Sequence, residues 1–87
     1  MSVEYLRNVG PKSATLLRAA GIDSLEKLRE IGAVAAYRRV KFVEPRTVSL
    51  NMLWALQGAL TDRDWRDIPP VEKDRLRANA VSGGQLP

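Results

Sequence analysis

The sequence predicts an all-α fold of five or six short helices. Apolar residues recur at intervals of three and four, proline and glycine cut the chain into helix-sized segments, and no segment alternates as a half-buried strand would. At 87 residues the chain has room for one core and at most one site. Its 45% hydrophobic and 28% charged residues match ordinary globular composition, far from the regime of disorder, so it is expected to fold unaided.

A first short turn, Val3 to Arg7, runs into Asn8, Val9 and Gly10. Pro11 opens the next helix, because its fixed φ suits the first helical position and its missing N–H has no partner to lose there. That helix stops at Gly21, the residue best able to take the left-handed closing conformation. A third helix begins after Asp23 or Ser24, with Asp23 and Glu26 at capping-box spacing, and carries Leu25, Leu28 and Ile31 to Gly32. A fourth spans Ala33 to Lys41, and Phe42 to Val48, with Pro45, reads as a connection. Ser49 caps a fifth helix, Leu50 to Leu60, which has no charged residue and is apolar on more than one face, as a buried central helix would be. Gly58 within it costs about 1 kcal/mol relative to alanine, tolerable where another backbone must come close. Asp62 to Ile68 is a charged loop carrying Trp65. Pro70 opens a sixth helix whose early Glu72 and Asp74 and late Arg75 and Arg77 suit the helix dipole. The helical domain is placed at residues 1–81 and a flexible tail at 82–87.

Cysteine and histidine are both missing, which removes thiol nucleophiles, disulfides, imidazole chemistry and nearly every zinc, copper or haem site, so no metal or cofactor is expected. The net charge of +4 lies wholly in residues 1–46, with nine basic against five acidic side chains; residues 47–87 are balanced. The longest uncharged run, Thr47 to Thr61, is 15 residues and would reach about 22 Å as a helix, short of a bilayer core. No secretory leader pattern is present, and a cytoplasmic protein without membrane contact is expected.

An internal echo appears at an offset of 22 residues: Leu6, Arg7, Val9, Gly10 and Ala14 align with Leu28, Arg29, Ile31, Gly32 and Ala36. The same helix-turn-helix unit is thus expected twice, although the second copy lacks the Pro11-Lys12-Ser13 of the first. That first copy, Leu6 to Ala14, resembles the helix-hairpin-helix motif, and the resemblance implies a helix-hairpin-helix core. A tight turn just before a helix N-terminus aims unpaired backbone N–H groups and the positive dipole end at one place, which suits a phosphate without reading the base beside it. The phosphate-binding set is then Asn8, Val9, Gly10, Lys12 and Ser13, with Val9 plugging the turn into the core and Asn8 standing where the motif has glycine. Asparagine tolerates the left-handed conformation better than other side-chain-bearing residues, so the turn is expected to persist. Arg7 beside it and Arg38, Arg39 and Lys41 further on are the supporting basic residues. The plainer account of the same residues is a loop that only turns the chain, and a solvated basic helix end. Trp54 and Trp65 read as packing residues rather than base-stacking platforms.

Taken together, Leu6-Arg7-Asn8-Val9-Gly10-Pro11-Lys12-Ser13, Gly21-Ile22 with Ser24-Leu25 and Leu28, Gly32 to Tyr37, Ser49 to Ala59 and Asp64-Trp65 make the chain similar to the C-terminal domain of the TfoX (Sxy) competence-regulator family. The resemblance covers about residues 5–80 and implies a role in transcriptional activation of DNA-uptake genes. Double-stranded DNA is the partner expected first. The alternative is a protein-interaction module that binds a transcription regulator or itself through helical surfaces, using whatever part of Met52, Trp54 or Leu60 one core leaves exposed. An enzyme is not expected: Lys12 resembles the Schiff-base lysine of hairpin-containing DNA glycosylases, but the chain has no room for a base pocket and no acid partner suggested by sequence.

Overall fold

The computed structural model describes residues 1–83 and is all-helical there, with no named strand. It contains four α-helices, α1 (Pro11–Ala19), α2 (Leu25–Val43), α3 (Leu50–Thr61) and α4 (Pro70–Gly83), and two 3-10 turns, Val3–Tyr5 and Trp65–Asp67. The expected five or six helices are therefore corrected to four. Two causes account for the difference. The segments read as a third and fourth helix are counted together as α2, but the break expected at Gly32 is present: its φ of 85° and ψ of 164° lie outside helical space, and two helical stretches meet there across a kink. The helix also continues through Phe42 and Val43, beyond the Lys41 end that the sequence predicts.

The helix-hairpin-helix core is not established. The Leu6–Ala14 turn is preceded by a three-residue 3-10 turn and an extended Leu6 (φ −74°, ψ 143°), not by an α-helix. The chain's first residues are instead drawn to the α2 start, where Val3 N–H donates to Asp23 O at 3.2 Å and Leu25 N–H to Met1 O at 2.8 Å.

The start and stop signals operate largely as physical chemistry dictates. Pro11 occupies the first turn of α1. Gly21, at φ 82°, closes it, with Gly21 N–H bonded to Arg18 O and Ile22 N–H to Leu17 O. This is the paired bonding of a Schellman closure, and its apolar contact is present too, since Leu17 and Ile22 are both fully buried. Ser24 caps α2 by accepting from Lys27 N–H, so the expected Asp23–Glu26 capping box is not the one used. Ser49 caps α3 through Asn51 N–H, and Pro70 begins α4. Because α4 runs to Gly83, Arg75 and Arg77 lie in its middle rather than in its last turn. Residues 82 and 83 of the expected tail belong to α4, and 84–87 lie outside the described residues.

α3 packs on α2, on the Trp65–Asp67 turn and on α4, while α1 packs on α2 and on the first 3-10 turn. Leu53, Leu56, Leu28, Leu17 and Val40 are fully buried in one core, and Trp54 is 7% exposed. Truncating a leucine of this group to alanine costs about 2 to 5 kcal/mol. Gly58 is the close-approach position its place in α3 implies: a Cβ there would meet the Asn8 side chain and lie 2.5 Å from Arg63 O.

Candidate nucleic-acid interface

The turn at Asn8 is held from the outside. Asn8 takes the left-handed conformation with φ 72°, and its half-buried side chain reaches across the fold. Nδ2 donates to Arg63 O at 2.9 Å and to Ala55 O at 3.4 Å, while Oδ1 accepts from Trp65 N–H at 3.3 Å. A glycine could supply the backbone angle but none of these bonds. The segment that receives Asn8 is itself braced: Arg63 forms a forked pair with Glu72, which also accepts from Gln57 Nε2 at 2.9 Å. These contacts hold the Glu72 carboxyl below its ordinary range, the Arg63 bonds first and Gln57 second. Asp64 caps the Trp65–Asp67 turn by accepting from Arg66 N–H at 2.9 Å and from the Arg66 guanidinium, and the side-chain bond, then the backbone one, lowers its pKa from 3.8 to about 2.

Beyond Asn8 the backbone opens. Gly10 is the extended N-cap residue of α1 (φ −89°, ψ −179°), offers no side-chain cap and is exposed. The amides of Asn8, Gly10, Lys12 and Ser13 find no acceptor among the described residues, as the first N–H groups of a helix require a partner from elsewhere. The Val9 amide is an exception, since it donates to Leu6 O at 3.2 Å. Val9 itself is half-buried against the core. Asn8, Lys12 and Ser13 line a cleft of about 330 Å³, shared with Ser49 and Asn51 at the start of α3 and with Trp65. Two helix N-termini and one lysine therefore face a common space in which no carboxylate takes part.

The supporting basic residues divide. Arg7 adjoins the turn, donating to Asp62 O at 3.1 Å with the Asp62 carboxylate at 3.6 Å. Arg38, Arg39 and Lys41 line two other clefts, neither of which includes Lys12. Trp54 is a core residue and Trp65 a half-buried wall of the cleft; Lys73 Nζ sits 5.7 Å and 5.9 Å from their ring centres. Sequence reasoning missed the role of the Asn8 side chain and of the Arg63–Glu72 pair, because these partners lie 9 to 57 positions away and no local pattern announces them. It also passed over Ser49 and Asn51 as parts of a site, reading Ser49 only as a cap.

Among the described residues, no helix is long and apolar enough to cross a membrane. A family model described as the TfoX C-terminal domain matches residues 1–80. No curated protein matches the chain. An uncharacterised protein from Listeria monocytogenes, solved in a triclinic crystal form, superposes with a TM-score of 0.85 at 25% identity, covering 98% of this chain and 96% of that one. A protein of unknown function from Listeria monocytogenes in a tetragonal form gives 0.82 at 26% identity, covering 92% and 98%.

Proposed function

The chain belongs to the TfoX C-terminal domain family, and from that premise we propose that it is a non-catalytic, transcription-associated module of DNA-uptake competence that contacts duplex phosphates through the Asn8–Lys12 turn. One observation carries this reading. The amides of Gly10, Lys12 and Ser13 are unbonded at the start of α1 and Lys12 lines the cleft beside them. Unpaired donors at a positive helix end form a phosphate seat, and the absence of anything within 4 Å of a Cβ at Gly10 leaves room for an oxygen to approach the backbone. Asn8 contributes the turn and its own amide, its side chain being engaged elsewhere; Ser13 adds a half-buried hydroxyl, and Arg7 adds charge at the edge. Val9 acts as the apolar plug.

This contact is small. Two or three phosphates correspond to a log-log salt slope of about −2 to −3 and to an affinity near the non-specific range of roughly 10⁻⁴ to 10⁻⁶ M, so sequence specificity requires a partner protein or an oligomer. Fluorescence anisotropy with a labelled duplex, titrated with salt, tests the reading. The expected result is that slope, with Lys12→Glu weakening binding equally for unrelated sequences. Absence of binding at low ionic strength, or a Lys12→Glu variant that binds as the parent does, refutes it.

A further inference from the structure

We propose that the face at the C-terminal end of α2, centred on Phe42, docks an acidic amphipathic helix of a partner protein. Phe42 is 89% exposed, the most exposed large hydrophobic residue among those described. It is a wall shared by two clefts of about 380 and 400 Å³, one lined also by Val43 and the other by Leu50 and Val81. Val43 and Val81 are themselves 43% and 54% exposed, so the ridge and its flanks form one apolar surface.

The charges around this surface select the occupant. Arg38, Arg39 and Lys41 line the two clefts, and no carboxylate does. Of the eleven other basic side chains, six are paired with a carboxylate among the described residues: Arg7 with Asp62, Arg18 with Glu4, Lys27 with Glu30, Arg63 with Glu72, Arg66 with Asp64 and Arg77 with Asp74. The three around Phe42 have no carboxylate partner among the described residues. Arg38 donates to Asn79 O and Ala80 O, and Lys41 to Val48 O at 2.6 Å, which fixes both at the rim without cancelling their charge.

An apolar ridge inside a fixed cationic rim is complementary to an apolar stripe flanked by carboxylates, which is the surface of an acidic amphipathic helix. Duplex DNA would satisfy the cations but presents no apolar face to cover Phe42. A second copy docked symmetrically would set the same three cations against one another, which like-charge repulsion opposes. The inference does not depend on the phosphate cleft, which none of these residues lines.

The test uses the full chain and a fluorescein-labelled, lactam-stapled helical peptide with leucines at i, i+3, i+4 and i+7 and glutamates elsewhere. Its counterpart carries lysine in place of glutamate. The glutamate peptide is expected to bind at least about tenfold tighter than the lysine peptide, and Phe42→Ala and Arg39→Glu each to weaken it roughly five- to tenfold. Both residues are exposed, so neither change removes core packing. Equal binding of the two peptides, no binding of the glutamate peptide, or unchanged affinity in Phe42→Ala overturns the proposal. Displacement of the peptide by duplex DNA, or a dimer in sedimentation that Phe42→Ala disperses, overturns it in favour of those occupants.

Discussion

The two copies of the 22-residue echo bury the same positions and turn the chain by different means. Leu6 and Leu28 are buried, as are Ala14 and Ala36, and Val9 and Ile31 both pack half-buried against the core. In the first copy the positive φ falls on Asn8, two residues before the glycine, and Gly10 is merely extended. In the second it falls on Gly32 itself, and the helix resumes at once. The first arrangement leaves a helix start with unbonded amides beside a cleft; the second is a one-residue kink at which two helical stretches meet directly. Shared apolar positions therefore dictate packing, while the location of the left-handed residue decides whether a turn becomes a site. The two turns also differ in what holds them. Asn8 is tied to Ala55, Arg63 and Trp65, whereas no side-chain hydrogen bond reaches Gly32 among the described residues.

Removing that external hold should have the largest effect. Asn8→Ala leaves Arg63 O and Trp65 N–H without their partner and puts alanine, which tolerates the left-handed region less well than asparagine, at φ 72°, for a loss of about 3 kcal/mol in urea unfolding. Asn8→Gly retains the angle and should recover about 1 kcal/mol of that loss. Gly32→Ala comes next. The Cβ meets nothing within 4 Å, so its whole cost is backbone strain at φ 85° and ψ 164°, a region nearly exclusive to glycine and worth about 2 kcal/mol. If Asn8→Gly proved as stable as the parent, the first turn would be held by backbone alone and the contrast between the copies would disappear.

Much of this was readable from the residues. Pro11, Gly21, Ser49 and Pro70 act locally, through a fixed φ, a tolerated positive φ or a side-chain cap within one turn, and local physics is what a sequence displays. The break at Gly32 is legible too, but a glycine break looks the same in sequence whether a loop follows or the chain only kinks, and here it kinks, so the two stretches count as one helix. The uncharged α3 reads as the central helix, and only the protein-interaction alternative looks for exposed apolar surface on Met52, Trp54 or Leu60. The core absorbs Trp54 and partly buries Met52 and Leu60, and the most exposed large apolar residue among those described is Phe42 on α2. Periodicity identifies an apolar face; which face finds a neighbour depends on tertiary contacts that it does not encode.

The third expected effect separates stability from binding at the first turn. Gly10→Ala meets open space at a negative φ, and exchanging glycine for alanine at a helix N-cap costs less than about 1 kcal/mol. Its methyl group would stand where a phosphate oxygen approaches the free amides, so duplex affinity should fall several-fold while the unfolding midpoint barely moves. A fall in stability as large as that of Asn8→Ala would mean that Gly10 serves the fold rather than the cleft.

The smallest effect concerns acid, and it too should distinguish the turns. Asp64 lies in the segment that receives Asn8, and its bonds to Arg66 lower its pKa from 3.8 to about 2. The folded state therefore resists protonation that the unfolded chain accepts, so the contribution is complete above the unfolded value and is lost as pH falls from about 4 toward 2. Glu72, lowered by Arg63 and Gln57, adds a decline of the same sign. Asp64→Asn should thus flatten, without abolishing, the acid limb of stability measured by urea unfolding between pH 5 and 2. In the parent, the amide resonance of Trp65 should shift across this range before that of Ala33, since no carboxylate shares a hydrogen bond with the Gly32 turn among the described residues. Simultaneous movement of both resonances would show that acid loosens the whole core and that the first turn has no sensitivity of its own.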